Sequence, residues 1–186
     1  MKNLIFVSII ALGFSTVILQ SCKKSDTPTP PTPPTLYDSL GGTAMVADPT
    51  ASGTQIEAGR LLIRSIVDSA IYVIAADPIM QPSFAVLLGE LPGNTSGLME
   101  LSKNLTDFVA VGTGAKDYKY TGLDMVTTHN PATNPRMTGK ATNAQMDEFE
   151  KDLFKGAAQA GVPATTPALI SVGKLVESLR SQVVQQ

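Results

Sequence analysis

The chain has 186 residues, with 14 basic side chains against 16 acidic ones, a single histidine and a single cysteine. No basic stripe accompanies that balance, so nucleic-acid binding has no electrostatic support. One histidine excludes a two-histidine zinc site, and one cysteine excludes any disulfide within the chain.

The amino terminus opens with Lys2 and continues through an almost unbroken apolar stretch, Leu4 to Leu19, before Gln20, Ser21 and Cys22. This pattern describes a secretory signal rather than a spanning helix, which needs about 20 apolar residues. Leu19-Gln20-Ser21-Cys22 resembles the bacterial lipobox, which implies a signal peptide over residues 1–21 and lipidation of Cys22. Acyl chains contribute about 0.8 kcal/mol per buried methylene, so the expected location is the cell envelope, anchored in a membrane by lipid. After Cys22 the chain reads KKSDTPTPPTPPT up to Thr35. Alternating Thr and Pro cannot bury a core, which predicts an extended tether over residues 22–35. Residues 36–186 have the length of one domain.

Within that domain apolar side chains recur at three- and four-residue intervals. From Ile56 to Ile74 the stripe is Ile63, Ile66, Val67, Ala70, Ile71 and Ile74, a helix that should stop at Asp77-Pro78. A second helix follows Pro92-Gly93-Asn94 and carries Leu98, Leu101, Leu105, Phe108 and Val109, with a loop expected from Gly112 to Lys119. Met125 and His129 are four apart, so a short helix would point both the same way. Thr142-Asn143-Ala144-Gln145 reads as a capping box opening a helix with Met146, Phe149, Leu153 and Ala157. A last helix has Pro167 in its first turn and carries Val172, Leu175, Val176, Leu179 and Val183. Strand-like alternation is scarce, so the expected fold class is all-α.

The chemistry open to these residues is narrow. No G-x-S-x-G elbow accompanies His129, and no D-x-D-x-D-G calcium loop exists. Gly112-Thr113-Gly114 lacks the third glycine and the strand of a dinucleotide fingerprint. Asp147 and Glu148 read as a solvated helix face. His129 remains, within Tyr120-Thr121-Gly122-Leu123-Asp124-Met125-Val126-Thr127-Thr128-His129. That Y-T-G-x-x-M-x-x-x-H segment resembles the one bearing the proximal haem ligand in group 1 truncated haemoglobins. In the same order along the chain, Leu36-Tyr37-Asp38-Ser39-Leu40-Gly41-Gly42 is similar to that family's opening motif. Ala76-Asp77-Pro78 with Phe84 is similar to the turn presenting its haem-stacking phenylalanine. Thr142-Asn143-Ala144-Gln145 and Ala160-Gly161-Val162-Pro163 are similar to the two ends of its penultimate helix.

The resemblance implies a truncated-globin fold, a 2-on-2 helical sandwich over residues 36–186, with haem as cofactor and His129 as iron ligand. It places Tyr120, Met125, Phe84, Leu101, Leu105, Ile71 and Tyr72 around the porphyrin. The implied function is binding of O2, NO or another diatomic gas at the envelope, with a redox partner where electrons are exchanged. Two departures stand out. Ile71 occupies the position where the family commonly has an oxygen-binding tyrosine, with Tyr72 one residue later, and Leu105 stands where a distal glutamine is frequent. Asn104 lies beside Leu105, and if Tyr72 and Asn104 both point outward, bound oxygen lacks a donor and leaves quickly. Insertions are expected at Val46 to Ile56 and at Asn130 to Lys140. These departures motivate an alternative, a haem-free globin-like lipoprotein acting as an interaction or structural module.

Overall fold

Thr35, expected to close the tether, instead begins the folded unit. The computed structural model describes residues 32–91 and 93–186, so the signal-like segment, Cys22 and most of the tether lie outside the described residues. Thr35 caps helix α1 (Leu36–Ser39): its hydroxyl accepts from the Asp38 N–H at 3.1 Å, and Asp38 accepts from the Thr35 N–H at 2.6 Å. This reciprocal cap lets four residues hold a turn that would not persist alone. The turn drives Tyr37 into the core at 1% exposure, its hydroxyl bonded to Glu57 at 2.5 Å.

The stretch expected to be the first insertion folds back as a hairpin, β1 (Met45–Ala47) antiparallel to β2 (Gln55–Glu57), with Val46 opposite Ile56. Asp48 fixes its turn by accepting from the Thr50 N–H at 2.8 Å and pairing with Arg64 at 2.8 Å. The chain is therefore mostly helical, with one two-stranded ribbon added to the expected all-α class.

Because residues 55–57 are extended, α2 (Ala58–Ala76) starts two residues later than the periodicity suggests. All six stripe residues, Ile63, Ile66, Val67, Ala70, Ile71 and Ile74, are buried as expected. Asp77 ends the helix, and its carboxylate accepts from the Ile79 N–H at 2.7 Å, consistent with proline at 78 barring another turn. A short 3-10 turn (Gln81–Phe84) then leads into α3 (Ala85–Glu90), which the sequence reading did not anticipate.

Helix α4 (Ser96–Thr113) runs to Gly114, which caps it in a left-handed conformation at φ 104°. The expected loop therefore begins two residues later than Gly112. Its fully buried side is Thr106, Asp107, Ala110 and Thr113, whereas Leu98, Leu101 and Leu105 are only half-buried. Asp107 is kept buried by Arg60 at 2.6 Å and Lys103 at 2.7 Å, the pairing a buried carboxylate needs.

A single turn, α5 (Met125–Thr128), precedes α6 (Asn143–Gln159), which opens with the Thr142 capping box as expected. The last helix is broken: α7 (Pro167–Glu177) stops, and α8 (Arg180–Val183) is a separate turn. The Ser178 hydroxyl donates back to the Leu175 carbonyl at 2.6 Å, a local bond that competes with the helical ladder.

The four longer helices form a ring in which α2 packs on α4 and α6, and α7 packs on α6 and α4. The tightest crossing is between α2 and α6. There the missing side chain of Gly156 lets the backbone and methyl of Ala70 approach to where a Cβ would stand. Alanine gains about 1 kcal/mol of helix propensity over glycine, but overpacking a contact with backbone costs about 1–3 kcal/mol. Gly156→Ala is therefore expected to lower stability in urea denaturation despite that gain. Gly89→Ala, in open space on α3, is expected to hold or raise it.

Candidate functional site

His129 sits at the C-cap of α5, where a helical turn is closed by its own N–H to the Met125 carbonyl at 3.2 Å. Asp124 starts that turn by accepting from the Thr127 N–H at 2.9 Å. With both ends tied, four residues suffice to set the direction of the imidazole. Its Nδ1 lies 2.8 Å from the Met125 carbonyl oxygen. A carbonyl oxygen can only accept, so Nδ1 carries the proton and Nε2 keeps its lone pair. Burial pushes the imidazole below its usual pKa near 6.5, with the Met125 bond opposing, so the neutral ring prevails at neutral pH.

Tyr120 and Met125, expected beside it, occupy the same segment. The Tyr120 hydroxyl donates to the Leu123 carbonyl at 2.6 Å, and its ring stands edge-on to Phe108 of α4 at 5.3 Å. Burial raises its pKa, so it remains a neutral phenol. Both Tyr120 and Met125 are half-buried.

A second group converges elsewhere. Ile71, Phe84, Leu101 and Leu105 line one cavity, with Tyr72 at its edge and Ile74, Leu87, Leu88, Leu91, Leu98 and Phe149 completing most of the wall. The lining is almost wholly apolar. Ile71 is 7% exposed and turns inward, whereas Tyr72 is 70% exposed and turns out. One residue along a helix is a 100° rotation, which accounts for the contrast. The cavity holds about 50 Å³, against about 300–1,000 Å³ for pockets that enclose sizeable ligands. Tyr120, Met125 and His129 are not among its lining residues, so the expected site is present as two separate halves.

The segment between His129 and α6 ties those halves together. The Thr133 hydroxyl donates to the Thr127 carbonyl at 2.9 Å, and Asn134 Nδ2 donates to the Thr128 carbonyl at 2.7 Å. Farther along, the Thr138 hydroxyl donates to the Pro82 carbonyl at 2.5 Å, and Gln145 Nε2 donates to Ser83 at 2.9 Å. Residues 130–140 are therefore a strap from the histidine turn to the wall bearing Phe84. Sequence reasoning missed the α3 part of that wall, although the run Ala85-Val86-Leu87-Leu88 was a signal for it.

One expectation about charge is overturned. Glu148 is not on a solvated face: it is 9% exposed and gathers with Asp77 and the fully buried Asp152. Lys155 lies 2.9 Å from Asp152 and 3.7 Å from Glu148, and Lys151 lies 2.7 Å from Glu148. Those ammonium groups offset part of the cluster's charge, while Asp147 keeps the expected exposure.

No known family model matches the chain, and no curated protein matches it at a meaningful level.

The lowered His129 pKa has a consequence for stability. As pH falls below about 6.5 the unfolded chain takes up this proton first, so acidification draws the equilibrium towards it. Denaturation midpoints of wild type and His129→Gln, compared from about pH 7.5 to about pH 5, should show the wild type losing stability relative to the variant. Parallel curves would contradict the buried neutral imidazole.

Proposed function

We propose that this chain is a haem protein of truncated-globin type, held at the cell envelope through Cys22, whose iron would be ligated by His129. The observation that carries the reading is the Nδ1 hydrogen bond to Met125, because it leaves Nε2 as the single imidazole lone pair in the chain. A neutral imidazole whose other nitrogen is tied to a carbonyl is the form that binds iron. The four-helix ring, the order of the sequence motifs and the apolar slot beside α2 and α4 support the 2-on-2 sandwich.

The residues suit the group in chemistry more than in volume. Ile71, Phe84, Leu101 and Leu105 offer an apolar face with no buried hydrogen-bond donor on their side chains. Haem, when bound, would supply an iron with one coordination position left for a diatomic ligand. The cavity of about 50 Å³ must widen for a porphyrin. Around the iron, Ile71 and Leu105 would exclude water, and Tyr72, 70% exposed, would not reach a bound ligand. O2, which is held by donated hydrogen bonds, should therefore leave faster than CO or NO. This suits sensing or redox chemistry more than oxygen storage.

The alternative is a haem-free interaction module on the same anchor. The closed cavity and the separation of His129 from it favour that reading. Titration of the purified chain with haem separates the two. A sharp Soret band saturating at one haem per chain, lost or shifted in His129→Ala, is expected. A broad free-haem spectrum unchanged by the substitution would replace the haem reading with the interaction module.

A further inference from the structure

The geometry points to a divalent-cation site of calcium type, formed by Asp77, Glu148 and Asp152 where the end of α2 meets α6. It does not draw on the haem reading, and none of its three residues lines the apolar slot.

Glu148 and Asp152 are four apart on α6, so both carboxylates stand on one face, and the turn after α2 brings Asp77 against them. Carboxylate oxygens from the three residues lie within 4.8 Å of one another. Oxygens that close can meet one ion at the calcium–oxygen distance of about 2.3–2.6 Å. An all-oxygen donor set favours a hard cation over zinc or copper.

A second observation is independent of that clustering. Asp152 is 0% exposed, and its Oδ2 has no hydrogen-bond partner among the described residues. A buried carboxylate oxygen without a partner is costly, and a cation supplies what it lacks. Asp77 adds to the imbalance, because it caps the C-terminal end of α2, where the helix dipole already places negative charge.

Lysines meet part of this need. The Lys155 ammonium lies 2.9 Å from Asp152 Oδ1 and 3.7 Å from Glu148, and Lys151 lies 2.7 Å from Glu148. The Asp152 bond above all, then the charges of Asp152, Glu148 and Asp77, raise the Lys155 pKa, so its ammonium answers all three carboxylates. Two ammonium groups against three carboxylates still leave one negative charge over. Both lysine side chains are more than half exposed and can swing into water. A divalent ion would replace Lys155, meet the three carboxylates at once and take its remaining ligands from water. Bound there, it would tie the end of α2 to α6.

The test is thermal unfolding of the full chain, without haem, in calcium chloride and in potassium chloride of equal ionic strength. The calcium concentration is about 10 mM, above the Kd of about 0.1–1 mM expected for a site with few protein ligands. Calcium is expected to raise the melting midpoint by roughly 3–8 °C beyond the potassium control. Asp77→Asn keeps an acceptor for the Ile79 N–H but loses the charge, and should lose most of that rise. Lys155→Gln should melt below wild type without calcium and rise further with it, because no ammonium then competes. Absence of a calcium-specific rise in the wild type would overturn the site. A rise confined to Lys155→Gln would do the same, since Lys155 would then be the permanent counter-ion. An equal rise in Asp77→Asn would also overturn it, by placing the ion elsewhere.

Discussion

The structure depends on the closeness of α2 and α6. Gly156 removes a side chain where Ala70 presents backbone, and that contact sets the height at which every other residue on the two helices meets. From it, Met146, Leu153 and Ala157 interlock with the Ile66, Val67 and Ala70 face as one buried cluster. Close-packed interiors tolerate little change in such a spacing. Once that face of α2 is consumed, Ile71 and Ile74 are left to line the cavity between α2, α3 and α4. The slot is thus the remainder of α2 after its main contact is made.

The polar groups divide in the same way. One side of α2 carries a buried network in which Arg60 pairs with Asp107 and lies over the Tyr118 ring at 4.1 Å, while Tyr37 binds Glu57. These groups satisfy much of each other's charge and hydrogen-bonding need, and together they hold α1, α2 and α4. The cavity side is nearly devoid of polar atoms.

Much of this was legible in the sequence because local rules and tertiary packing agreed. The stripe of α2, the stop at Asp77-Pro78 and the Thr142 capping box each depend on residues within one or two turns. The failures have equally local causes. Leu101 and Leu105 of α4 line the slot as the resemblance implied, but nothing in the stripe showed that Thr106, Asp107 and Thr113 take the buried side, where Arg60 and Lys103 pair with Asp107. Glu148 was misjudged because its burial beside Asp77, at the end of α2, comes from packing that periodicity does not reveal, although Lys151 and Lys155 lie one and two turns along its own helix. The break after Glu177 carries no signal in the periodicity, which runs on through Leu179 and Val183. Ile71 facing inward and Tyr72 outward was readable from register alone. The strap from His129 to Pro82 was not, since the hydrogen bond that closes it joins residues more than fifty positions apart.

The central claim is that the one imidazole of this chain ligates haem iron through Nε2. Because there is one histidine, labelling with 15N-histidine marks a single ring. Resonance Raman spectra of the ferrous haem complex, recorded with and without that label, address the claim directly. The account predicts an iron–histidine stretching band that shifts to lower frequency on labelling. A haem complex whose low-frequency spectrum is unmoved by the label would contradict it.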